Sequence, residues 1–90
     1  MKKDHKSIVA EYLHTLSEES LQFLLVRLTE RKLGDLPEAL NLMSQNEGMD
    51  TVLSSARSAE ALFDLCDKTQ NAVLRECKSR GVNTGRTVAA

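Results

Sequence analysis

Few side chains in this 90-residue sequence are suited to covalent, metal or acid–base chemistry. They are Cys66 and Cys77, His5 and His14, and the adjacent carboxylates Glu18 and Glu19. Both cysteines fall in ALFDLCDKTQNAVLREC, residues 61–77, eleven positions apart. On a helix, eleven positions are almost three turns, so the thiols share a face within about 20° but stand about 16 Å apart. A disulfide needs Cα atoms within about 7 Å, which excludes a bridge along the helix. A zinc site needs about four clustered ligands, and His5 and His14 fall on opposite sides of the first helix. A redox thiol must be exposed and of lowered pKa; Arg75 and Lys78 beside Cys77 are the only support for that. Ala59, Leu62 and Val73 share the cysteine face, so the pair reads as small apolar core residues. Glu18 and Glu19 suit the first turn of a helix, where the dipole favours negative charge. There is no glycine-rich phosphate loop, HExxH or Gly-x-Ser-x-Gly. The expectation is a protein that is not an enzyme, with no catalytic residue, metal or cofactor.

The elements that would position these residues are helical. Ninety residues make one domain with one core. One proline, four glycines and 3% aromatic residues fit long helices rather than a sheet. Ile8, Val9, Tyr12, Leu13 and Leu16 recur at helical spacing over residues 4–16. Ser17 is a good N-cap for a second helix from Glu18 to about Lys32, with Leu16 and Leu21 as a hydrophobic staple and Gly34 just past its end. In DLPE, Asp35 is the expected cap of a third helix carrying Ala39, Leu40, Leu42 and Met43. Asn46–Gly48 would end it, and Asp50 or Thr51 would cap a fourth segment with Val52, Leu53 and Ala56. Residues 51–80 are either one helix or two; the serines near Arg57–Ser58 favour a break. Gly81 is the stop. The expected fold is all-α: a compact antiparallel bundle of four to five helices over residues 1–81, with a disordered, flexible tail over 82–90. Within the last helix, Thr69 and Gln70 interrupt the apolar stripe. They mark either a solvated gap or a hydrogen-bonded layer in a helix–helix interface.

The second helix carries the best functional clue. Phe23, Leu24, Leu25 and Val26 are consecutive and so cover its whole circumference. Leu21, Leu24 and Leu28 form the core ridge, while Val26 and Leu33 point the other way beside Gln22 and Thr29. Such a helix is either central or exposes a second apolar face to a partner. The candidate partner-binding set is Gln22, Val26, Thr29 and Leu33, rimmed by Arg27, Arg31 and Lys32.

Twelve basic and thirteen acidic side chains give a net charge of −1. That balance, and the lack of aromatics interleaved with bases, argue against nucleic acid. A basic patch of Arg27, Arg31, Lys32, Arg75, Lys78 and Arg80 would form only if two helix C-termini lie side by side. That patch underlies an alternative reading as a small nucleic-acid-binding regulator. No apolar run approaches the roughly 18–20 residues that span a membrane, and the start has no secretory h-region. The expected setting is the reducing cytoplasm with both thiols free. The expected partner is another protein or a second copy, as in a homodimer.

Two stretches resemble the death-fold superfamily. LSEESLQFLLVRL is similar to the first-to-second helix junction of pyrin and death-effector domains. SARSAEALFDLCDKTQNAVLREC is similar to the fourth and fifth helices of a caspase-recruitment domain. Ala59, Leu62, Phe63 and Asp64 match that family's Ala-x-x-Leu-Leu-Asp run, and Ala72 its later alanine. Thr69 and Gln70 stand in place of the family's Lys-Gly, and no periodic run after Arg80 supplies a sixth helix. The resemblance implies a non-catalytic module for homotypic interaction.

Overall fold

The computed structural model describes residues 4–32 and 34–82. Those residues form five helices and no strand: α1 (His5–Thr15), α2 (Glu18–Glu30), α3 (Asp35–Ser44), α4 (Glu47–Ser54) and α5 (Ala59–Arg80). The bundle is compact and all-α, as the periodicity requires. Residues 83–90 of the expected tail lie outside the described residues.

Local chemistry accounts for most helix ends. Asp4 accepts from the Ser7 amide at 2.8 Å, Ser17 from Ser20 at 3.1 Å, and Ser58 from Ala61 at 3.0 Å. These side chains satisfy amides that the first turn leaves without intrahelical partners. Residues 51–80 are therefore two helices, broken between Ser54 and Ala59. Gly81, at φ 72°, ends α5; its amide bonds Lys78 O at 3.2 Å and the Val82 amide bonds Cys77 O at 2.9 Å. That pair of bonds is a Schellman motif, and it brings Val82 onto the core, one residue past the expected boundary.

Three ends differ from the sequence expectation. α2 stops at Glu30, and Arg31 takes the left-handed conformation at φ 50°. The guanidinium of Arg31 bonds Leu28 O, Asp67 and Gln70, contacts that hold a conformation unfavourable for a non-glycine residue. Gly34, at φ 93°, is the residue before α3, and Asp35 is that helix's first residue rather than its cap. The Asp35 carboxylate instead accepts from the Lys32 amide at 3.2 Å. α4 begins at Glu47, capped by Asn46, which accepts from the Met49 amide at 3.0 Å. Gly48 thus lies inside the helix it was expected to precede. A Cβ there would stand 3.0 Å from Ile8 Cγ2, so glycine lets α4 approach α1 closely.

The principal helix contacts close a ring, α1–α4–α3–α2–α5 and back to α1. One neighbouring pair in the ring meets at like ends. That pair is α1 and α5, whose C-terminal ends meet: His14 Nδ1 is 3.4 Å from Glu76 Oε2, and Arg80 bonds Leu13, His14 and Leu16 carbonyls. Two parallel helices place two negative dipole ends together, and the Arg80 guanidinium sits between them. Inside the ring, Leu13, Leu21, Leu24, Leu25, Leu28, Met43 and Met49 are fully buried. Each such side chain contributes about 1.5–3 kcal/mol of transfer free energy.

Candidate functional site

Leu21, Leu24, Leu25 and Leu28 are buried, so α2 is packed along its core ridge and Leu25 extends that ridge. Gln22 and Val26 are half-buried and Thr29 is exposed. Leu33 lies outside the described residues. The three cations do not form one rim. Arg27 reaches α3, bonding Glu38 at 2.8 Å and approaching Asp35 at 3.7 Å, and lies 4.5 Å over the Phe23 ring. Arg31 turns to α5, where Asp67 and Gln70 hold it. Lys32 pairs with Glu30 at 3.2 Å.

The basic helix ends are also apart. Arg31 meets α5 at Asp67 and Gln70, while Arg80 stands at the far end of α5 against α1. Thirteen residues of helix separate Asp67 from Arg80, about 20 Å. The side-by-side C-termini that a joint patch requires belong to α1 and α5, not to α2 and α5.

Both cysteines are buried and unbonded. Burial pushes each thiol up from its ordinary range, against a smaller opposite pull from Arg31 on Cys66 and Arg80 on Cys77. A raised thiol carries little thiolate, which is the nucleophilic form. Thr69 is 1% exposed and donates its hydroxyl to Leu65 O at 2.8 Å, within its own helix. Thr69 is thus satisfied within its own helix, while Gln70 accepts from Arg31, the residue that ends α2, at 3.3 Å, a hydrogen bond between helices. Among the described residues, no three His, Cys, Asp or Glu side chains are grouped to hold a metal ion. Among them, too, no helix is long and apolar enough to cross a membrane.

A different surface has the shape of a site. Between α1 and α5 lies an open groove of about 490 Å³. Val9 and Ala10 from α1 and Leu65, Thr69 and Ala72 from α5 make its floor and inner walls. His5 and Lys6 stand on the α1 wall; Lys68, Asn71 and Arg75 stand on the α5 wall. No carboxylate lines it. Lys68 is held by Asp64 at 3.0 Å, a pair of exposed side chains one turn away, whereas Arg75 is an exposed cation. The volume falls in the range of binding clefts, and its apolar floor between charged walls suits an amphipathic occupant.

The sequence pattern does not reveal this groove, although Arg75 and Thr69 each stand out in it separately. The available signal was the ridge Lys68, Asn71, Ala72 and Arg75, small residues between cations at helical spacing. A second surface lies nearby on α5. Phe63 is 50% exposed, and Glu60, Asp64 and Asp67 surround it.

No protein-family model matches the chain, and neither a curated protein nor a solved structure matches it.

Proposed function

We propose that this protein is a small, non-catalytic protein–protein interaction module, an adaptor or regulator working in a reducing cytoplasm. It acts through the helical surface between α1 and α5. The observation that carries this reading is the groove of about 490 Å³, apolar at its floor and cationic on both walls. Interface cores are apolar with a polar rim, and helices commonly dock into such grooves through one apolar stripe. Arg27 and Arg31 serve the fold instead, bridging to α3 and α5. The implied death-fold likeness points to the same class of function, and the buried thiols suit a reducing setting.

The test is site-specific photo-crosslinking in the cell that makes the protein. A photoreactive side chain at Ala10 or Asn71, on the groove walls, should trap a discrete protein adduct, a second copy included. The same group at Thr29, on α2, should trap none. Adducts at Thr29 alone would move the interface to α2, and none at any position would reject the interaction reading.

A further inference from the structure

The groove has a matching shape on the same chain. Its walls carry Lys6 on one side and Lys68 and Arg75 on the other, around an apolar floor. Two residues before Leu65, where the groove begins on α5, Phe63 projects half exposed among Glu60, Asp64 and Asp67. Among the described residues, Phe63 is the large apolar side chain left exposed. Each surface is what the other lacks: an apolar knob ringed by three carboxylates, and an apolar slot flanked by three cations.

The two cannot meet within one molecule, because both include the same rigid helix. Phe63 and the groove floor at Thr69 and Ala72 are separated by about 9–14 Å of α5. They can meet between molecules. If two α5 helices lie antiparallel about a two-fold axis, the acidic first half of each faces the basic second half of the other. A two-fold contact of this kind uses the same patch on both subunits and closes at a dimer.

We propose that the groove between α1 and α5 takes Phe63 of a second copy of this chain, whose Glu60, Asp64 and Asp67 meet Lys6, Lys68 and Arg75. This rests on the groove being the interaction surface and names its occupant. Two of the carboxylates have partners within their own chain: Asp64 with Lys68 and Asp67 with Arg31. The Asp64–Lys68 pair is exposed on both sides, and such pairs contribute little and exchange readily. Glu60 brings the charge that Arg75 can accept without breaking a pair. An interface built from one aromatic anchor and exposed charges is modest in affinity and sensitive to salt.

The experiment is sedimentation of the full chain from about 10 μM to about 1 mM, at low and at high salt. Amide spectra are recorded over the same dilution. Dimerisation at low salt, weakened by high salt, with dilution shifts at Ala10, Ala72 and around Phe63, is the expected result. Phe63→Ala should weaken association at least about tenfold. Helicity should be unchanged, since half of that ring is already in water. Arg75→Glu should weaken it as well, and mixing it with Glu60→Arg should restore a mixed dimer. A monomer throughout would overturn self-association, as would a dimer indifferent to Phe63→Ala and Arg75→Glu. If a different protein is trapped at Ala10 while the chain stays monomeric, the occupant is wrong and the interaction reading stands. If nothing is trapped and the chain is monomeric, both fail.

Discussion

Arg80 donates to the carbonyl of Leu16 at 2.6 Å, tying the last turn of α5 to the residue that ends α1. The same guanidinium bonds Leu13 O at 2.9 Å and His14 O at 2.8 Å. It therefore satisfies the His14 and Leu16 carbonyls beyond the last turn of α1 and adds a second bond to Leu13 O, which already accepts from the Leu16 amide at 3.1 Å. Replacing Arg80 with Ala should cost about 2 kcal/mol in urea denaturation, because charge-assisted bonds to the His14 and Leu16 carbonyls, and a second bond to Leu13 O, are lost. Arg80→Lys should recover less than half of that loss. A compact ammonium cannot fork across three carbonyls as a planar guanidinium does. If the lysine variant were as stable as the parent, the forked geometry would contribute nothing.

Glu76 anchors the other side of the same guanidinium, accepting from Arg80 Nε at 2.6 Å. That bond chiefly holds its carboxyl below the ordinary range; burial opposes it and the His14 contact adds to it. The folded value thus lies below the unfolded one. The stabilisation is present in full above the unfolded value and is lost as pH falls through the folded value. Below about pH 5.5 the stability difference between the parent and Glu76→Gln should shrink as the solution is acidified further. Paired urea titrations at descending pH would measure it. A gap that widened below about pH 5.5 would reverse the assigned direction.

Leu25 and Val26 are neighbours with different surroundings. Leu25 is fully buried, while Val26, about 140° around the axis from Leu21, is half-buried. Leu25→Ala should destabilise by about 3 kcal/mol through lost transfer and the cavity left behind. Val26→Ala should cost no more than about 1 kcal/mol. Equal losses, read from melting or denaturant midpoints, would show that α2 is enclosed on every side.

What was readable in the sequence was local. Ser17 and Gly81 begin and end helices through bonds to residues within a few positions, where the sequence predicts them, and Ser58 caps α5, one of the two readings its sequence allows. The start of α4 was not, because Gly48 looks like a terminator unless Ile8 of another helix is known to lie above it. Thr69 looked like a misfit in an apolar stripe because its hydroxyl's partner, Leu65 O, is a backbone atom that sequence patterns do not show. The groove was out of reach for a third reason. Lys6 and Arg75 line one groove only because α1 packs against α5, and nothing local to α1 or α5 says that the two are neighbours.

Cys66 and Cys77 give a test of the core that needs no mutation. Both side chains are fully buried, and both thiols are pushed up by that burial. Attack on a disulfide reagent requires an exposed thiolate. Each thiol should therefore react with an aromatic disulfide reagent only when the surrounding helices open. Native labelling should be slow and should speed up along the urea unfolding transition, with both thiols reacting at once in full denaturant. Because α5 separates them by about 16 Å, oxidation of the folded monomer should form no internal bridge. Rapid labelling of one thiol in native buffer would mean that its stretch of α5 is loosely packed, and it would place that thiol among the reactive groups of the protein.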